Sequence, residues 1–121
     1  MATPAPYRIS REDDIVRIDF RANPDKEMMM AIVEELSSME NSALRMYVFV
    51  DAEVLLSTAE VKEGADYARD LTNQPERIAV VAGGDITYGI SRIFKVFRDS
   101  PGTELQVFRE VDDARDWLRS G

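Results

Sequence analysis

Residues 77–118 constrain the fold of this chain most strongly, because nearly every position there belongs to a recognisable element. Residues 78–82 form an uninterrupted apolar run, which is typical of a strand buried on both faces of a mostly parallel sheet. Gly83 and Gly84 end this strand. An amphipathic helix follows, and we expect its apolar stripe to face the sheet: Ile86, Ile90, Ile93, Phe94 and Phe97. Residues 105–108 predict the next strand, and residues 112–118 predict a closing helix.

The N-terminal part predicts a hairpin followed by a helix. Strands at 7–10 and 15–20 are joined by a charged turn, and the alternation in the second strand is typical of a position near the sheet edge. The tripeptide Asn23-Pro24-Asp25 predicts a helix start with Asn23 as the N-cap. The apolar face of this helix is predicted to bury Met29, Ile32, Val33 and Leu36.

Residues 46–50 form the second continuous apolar run, so they are predicted to pair with residues 78–82 as the central strands. Ser57 and Glu60 match a capping box, which predicts that a helix begins at Ser57 and ends before Gln74-Pro75. Its inward face consists mostly of small side chains, including Gly64, which favours close approach to its neighbours. The resulting order, β-β-α-β-α-β-α-β-α, predicts a single α/β domain over residues 7–121.

Composition narrows the functional classes. The 121 residues contain neither histidine nor cysteine, which excludes imidazole bases, thiolate nucleophiles, disulfides and zinc sites built on those ligands. The net charge of -8 repels phosphate backbones, so no nucleic-acid partner is expected. No apolar segment is long enough to span a membrane, and residues 1–6, a predicted disordered tail, lack a signal pattern. The sequence therefore predicts a cytoplasmic protein without a transmembrane segment.

Two groups of residues are predicted to contribute to a ligand or partner surface. Val54, Leu55 and Leu56 are three apolar residues in a predicted loop, and they form either a cover for the core or a mouth for an apolar ligand or partner. Tyr88 and Arg92 lie on one side of the third helix, away from its apolar stripe, and form either a solvated face or a docking surface.

The acidic residues favour structural roles. Asp13-Asp14 belongs to a turn, Asp112-Asp113 lies in a helix first turn, and Asp85 is predicted to be the N-cap after Gly83-Gly84. The glycine pair matches neither a dinucleotide fingerprint nor a P-loop. We therefore expect no catalytic residue, no metal site and no cofactor.

The element order and the C-terminal half resemble the STAS superfamily, and within it the small SpoIIAA-like proteins. The matching residues are 77–81, 88–94 (Tyr-Gly-Ile-Ser-Arg-Ile-Phe), 107–109, 112–114 and Trp117-Leu118. The resemblance implies a mixed, mostly parallel five-stranded sheet in chain order, with four helices mainly on one face. It also implies a partner-docking switch phosphorylated in an Asp-Ser-Ser-Gly-Leu motif. That motif is absent from residues 51–58, where Ser57 and Thr58 are the nearest candidate phosphosites.

From this we predict a non-catalytic regulatory module that acts through protein interaction. The alternative is a carrier or sensor of a small apolar ligand, such as a lipid or fatty acid. The resemblance extends to Sec14-like lipid carriers, and the predicted pocket lies between helices and sheet at Met29, Ile90 and Phe94. A homodimer is also compatible with the sequence.

Overall fold

Five strands lie side by side in chain order in the computed structural model, which describes residues 5–71, 75–98 and 101–120. The first two strands are antiparallel and all later neighbours are parallel, so the predicted mixed sheet is confirmed. The elements in chain order are β1 (Tyr7–Glu12), β2 (Ile15–Phe20), α1 (Lys26–Ser38), β3 (Leu44–Phe49), α2 (Thr58–Leu71), β4 (Glu76–Ala82), α3 (Asp85–Arg98), β5 (Thr103–Phe108) and α4 (Val111–Arg119).

The two faces of the sheet carry separate cores, because side chains alternate along each strand. One face packs under the first three helices around Phe20, Tyr47, Phe49 and Val80, with Ile32 and Leu36 contributed by α1. The other face packs under α4 around Met46, Val48 and Val81, with Ala114 and Leu118 contributed by the helix. Three of the four helices therefore cover one face, as predicted, and β3 and β4 are the central strands.

The start of α1 differs from the prediction. Asp25, not Asn23, is the N-cap, and its carboxylate accepts a hydrogen bond from the Met28 backbone N–H at 2.8 Å. Asn23 Oδ1 instead accepts from the Glu53 N–H at 2.8 Å, so it fastens the loop that follows β3. Both residues are good N-caps, and only the tertiary contact decides between them.

The predicted capping box at the start of α2 is confirmed. The Glu60 N–H donates to Ser57 Oγ at 3.2 Å, and Glu60 Oε1 accepts from the Ser57 N–H at 3.1 Å. Val61, Ala65 and Ala68 are buried, but the role expected of Gly64 is wrong. Apart from the adjacent backbone of α2 itself, no atom lies within 4 Å of the position that a Cβ of Gly64 would take, because this glycine borders a cavity rather than a neighbouring helix.

The stripe predicted to bury α3 is wrong in part. Ile86 and Ile93 are 59% and 38% exposed, while the residues buried on α3 are the polar Thr87, Ser91 and Arg98. Thr87 is bound by Glu53 and Arg98 by Glu76, so polar partners from distant elements set the rotation of the helix.

The N-terminus of α3 also differs from the prediction. Asp85 lies within the first turn of the helix and pairs with Arg109 at 2.9 Å. The backbone N–H of Thr87 donates to the carboxylate of Glu53 at 3.2 Å, so a residue of another loop satisfies this donor. A Cβ at Gly84 would collide with that carboxylate, so a larger residue here would require the Glu53 side chain to move.

Some predicted features fall outside the described residues. They are positions 1–4 of the predicted tail, Gln74 at the end of the second predicted helix, and residues 99–100 of the turn before β5. Pro6, also within the predicted tail, accepts hydrogen bonds from the Arg21 and Ala22 N–H groups at 2.8 and 3.2 Å.

Candidate functional site

A cavity of about 70 Å³ lies between α1, α2, α3 and the sheet. The helices contribute flexible and small side chains to its wall, and the strands contribute aromatic and branched ones. The predicted pocket residues Met29, Ile90 and Phe94 are all part of the wall. The other apolar wall residues and the glycine are Met30, Val33, Tyr47, Phe49, Val54, Leu56, Val61, Gly64, Ala68, Ile78 and Val80.

The inner end of the cavity contains a buried ion cluster. Arg45 on β3 and Arg98 at the end of α3 both belong to the wall, and both pair with the buried carboxylate of Glu76. Arg45 Nη1 lies 3.2 Å from Glu76 Oε2, and Arg45 Nε donates to the Ser42 carbonyl at 2.8 Å. Burial lowers the pKa of Arg98 and raises the pKa of the neighbouring Tyr47, whose hydroxyl therefore stays protonated.

The outer end of the cavity has a charged rim. Lys26 and Glu60 belong to the wall, and Lys26 Nζ pairs with Glu63 Oε2 at 2.9 Å, which links α1 to α2. The hydroxyl of Tyr67 on α2 donates to Glu34 on α1, which adds a second polar link between these helices. Both links lie near the protein surface, where ion pairs and hydrogen bonds contribute little to stability.

The loop between β3 and α2 closes one side of the cavity. Val54 is only 7% exposed and Leu56 is half-buried, and both line the wall, whereas Leu55 between them is 61% exposed. The Val54 N–H donates to Thr87 Oγ1 at 2.9 Å, so the loop is fastened to α3. The three candidate residues therefore divide: two cover the cavity and one faces solvent.

Tyr88 and Arg92 lie elsewhere on α3. The Arg109 guanidinium stacks on the Tyr88 ring at 4.0 Å, which places Tyr88 on the flank towards the end of β5, and Arg92 is exposed one helical turn further along. The structure does not bring these two residues together with the loop at 54–56. The proposed surface is thus two separate areas.

The candidate phosphosites Ser57 and Thr58 are both exposed at the start of α2. The Ser57 hydroxyl is engaged in the capping box, as its sequence context predicts. Phosphorylation at either position stays a prediction.

Sequence reasoning missed the charged end of the cavity. Arg45 interrupts an otherwise apolar strand, and an arginine facing the core side of a central strand needs a buried acid. Glu76 begins β4, two positions before its apolar run, and supplies that acid. Arg45 and Glu76 are therefore the sequence signal for a buried ion pair. The residues around Arg98 carry no signal that this arginine is buried.

A second, polar groove of about 410 Å³ lies on the other face, where β1 and β2 extend beyond α4. Charges of both signs line it, and many are already paired: Arg17 contacts Glu12 at 2.7 Å and Asp19 at 3.0 Å. The mixture of paired charges does not favour one class of ligand.

The chain is similar to known proteins in sequence and in fold. A family model described as SpoIIAA-like matches residues 15–119. The chain belongs to the SpoIIAA-like family. The crystal structure of an uncharacterized protein from the DUF3478 family with a SpoIIAA-like fold, from Shewanella loihica PV-4, is similar with a TM-score of 0.56. The two chains are 20% identical and the match covers 98% of each, so this likeness concerns the fold. No curated protein matches the chain.

Neither a membrane-spanning helix nor a cluster of metal ligands occurs among the described residues. None of their helices is both long and apolar enough to cross a membrane. No group of three or more acidic side chains in this part of the SpoIIAA-like chain is arranged to hold a metal ion.

Proposed function

We propose that this SpoIIAA-like protein is a non-catalytic binding protein that holds a small apolar ligand between its first three helices and the sheet. The main support for this proposal is the cavity itself, because its wall is apolar along most of its length. Interiors are normally packed with few voids larger than a water molecule, so a cavity in so small a core needs an explanation. An apolar ligand would remove its own surface from water there, and each buried Å² contributes roughly 25 cal/mol.

The volume limits the ligand. An engineered cavity of about 150 Å³ lined by apolar side chains binds benzene, and the present cavity of about 70 Å³ is half that size. It accepts a few heavy atoms as it stands, and it accepts an alkyl chain only if its walls move apart. The polar links between α1 and α2 that such a movement would break lie near the surface and contribute little to stability.

Binding of a neutral probe tests the proposal. Nile red fluorescence should rise with the purified protein and fall when octanol is added. The matched variants are Gly64→Leu, which fills the cavity, and Gly89→Leu, which changes an exposed glycine of α3 with equally open surroundings. We expect Gly64→Leu to abolish binding and Gly89→Leu to retain it. The proposal fails if the native protein binds neither compound, or if both variants bind alike.

Protein interaction is the second candidate function, and a specific observation favours it. Leu55 and Ile86 are both about 60% exposed, and Val96 is 74% exposed, which leaves large apolar side chains on the loop and on α3. Exposed apolar groups of this kind occur at docking surfaces. Tyr88 and Arg92 form the other candidate area, on the flank of α3 opposite Ile86, and Val96 lies one turn beyond Arg92 on that same flank.

Affinity capture with matched variants tests this second candidate. Leu55→Ser combined with Ile86→Ser should release a specific partner that the native protein recovers, while Tyr88→Ala with Arg92→Ala tests the other flank. Sedimentation of the native protein shows whether the partner is a second copy. If neither double variant changes any recovered protein or the mass in solution, these areas are not docking surfaces.

Phosphorylation of Ser57 or Thr58 would regulate the same candidate function, protein interaction. A phosphate at a helix N-terminus meets free backbone donors and a favourable dipole, although at Ser57 it would replace the capping box. Intact mass after incubation with ATP and a kinase-containing lysate, compared with a Ser57→Ala, Thr58→Ala protein, decides whether either residue is modified.

A further inference from the structure

The two ends of the cavity differ in charge. At the inner end Arg45 and Arg98 belong to the wall and are 5% and 1% exposed. Their shared carboxylate, Glu76, lies behind them and is not part of the wall. Among the described wall residues the only acid is Glu60, at the outer rim. The cavity is therefore apolar along its length and cationic at its closed end.

The wall also offers neutral donors. The hydroxyls of Tyr47 and Ser91 belong to buried residues of the wall, on the same two elements as the arginines. Guanidinium groups form their strongest hydrogen bonds with anionic groups such as carboxylates, and water-excluded surroundings strengthen these bonds further. A ligand with an anionic group at the inner end would be held by charge-assisted bonds, while its apolar part would lie against the methionines and branched residues.

We propose that the ligand of this cavity is a carboxylate with an apolar tail, held with its head group at Arg45 and Arg98 and its tail towards the rim. The inference rests on the proposed apolar-ligand function and adds the head group and the orientation. The length of the cavity agrees with such a ligand. Its wall follows β3 from Arg45 to Phe49, which is about 13 Å at the rise of a strand. An eight-carbon chain with bonds of about 1.5 Å spans roughly 9 Å.

The test compares octanoate with octanol, which share the same tail. Because the cost of opening the cavity is the same for both, the ratio of their dissociation constants, measured by displacement of Nile red, reports the head group. We expect octanoate to bind about tenfold more tightly, since its charged carboxylate can accept two parallel hydrogen bonds from a guanidinium, whereas the neutral hydroxyl of octanol accepts a single one. Equal affinities, or a preference for octanol, would overturn the inference and leave the proposed function intact. If neither compound binds, the proposed function fails as well.

Variants locate the head group. Arg98→Met and Arg45→Met should each lower the preference for octanoate while octanol binding changes little. Arg77→Met is the matched control, because this arginine pairs with Glu104 and stacks on Trp117 outside the cavity wall. Lys26→Met tests the opposite orientation. A preference lost only in Lys26→Met would place the carboxylate at the rim and refute the proposed orientation. The comparison of octanoate with octanol in the native protein tests the inference even where a variant does not fold.

Discussion

Replacing Glu12 by Gln tests how the N-terminal hairpin is held to the last helix. Glu12 accepts hydrogen bonds from Arg115 Nε at 2.8 Å and from Arg17 Nη1 at 2.7 Å, so it joins β1 to both α4 and β2. The bond from Arg115 is the largest influence on the carboxyl, burial opposes it, and the bond from Arg17 adds to it. Together they lower the pKa of Glu12 from 4.5 to about 2.

This pKa gives the size and the pH range of the effect. A carboxyl whose pKa falls from 4.5 to about 2 on folding stabilises the folded state by at most about 3 kcal/mol. Because a quarter of the side chain is exposed and solvent screens the pair, we expect about 1–2 kcal/mol. The pKa is lowered, so this contribution is complete above pH 4.5 and is lost as the pH falls from 4.5 towards 2.

Urea unfolding of the native protein and of Glu12→Gln, from about pH 7 down to about pH 3.5, measures this contribution. The difference in free energy of unfolding should be about 1–2 kcal/mol at neutral pH and should shrink below pH 4.5. Glu104→Gln is the control, because its carboxylate pairs with Arg77 but is 66% exposed, and it should change stability by less than about 0.5 kcal/mol. A difference for Glu12→Gln that is absent at neutral pH, or that stays constant with pH, would refute the reasoning.

Four further substitutions test local features by denaturant unfolding. Ser57→Ala should destabilise the protein by about 1 kcal/mol, because the cap of α2 is lost. Gly64→Ala and Gly89→Ala should each stabilise it by about 0.5–1 kcal/mol, since both are helical positions with open space, and a loss at Gly64 would mean that the cavity is not there. Thr87→Val should cost about 1–3 kcal/mol, because the hydroxyl that joins α3 to the loop disappears, and an unchanged stability would show that this contact is not formed.

The parts of the fold that the sequence predicts are those whose signals are local. The apolar runs at 46–50 and 78–82 correspond to neighbouring central strands, and the capping box at Ser57 begins a helix as its spacing requires. Strand order came from the resemblance to a family, not from the residues, because periodicity does not determine which strands are neighbours.

The errors occur where a distant polar partner outweighs a local preference. Thr87 is bound by Glu53, 34 positions earlier, and Arg98 by Glu76, 22 positions earlier, so α3 turns polar residues inward and leaves Ile86 exposed. The rotation of a helix follows its apolar stripe only when no buried polar group competes. Helix periodicity identifies the apolar residues of the candidate pocket. It does not identify the charged end, whose signal in the sequence is Arg45 on β3 and Glu76 on β4.

The chain-ordered sheet has a consequence for folding kinetics. Ile15 pairs with Leu44, 29 positions later, Leu44 with Arg77 after 33, and Glu76 with Thr103 after 27, so each parallel pairing closes a chain segment of similar length. The entropy of closure grows only slowly with length, and none of these steps is exceptionally costly. The sheet can therefore grow one strand at a time, each new strand joining the edge left by the previous one. The bond between Glu12 and Arg115 spans 103 positions and joins the first strand to the last helix, so it is the kind of long-range contact that slows folding.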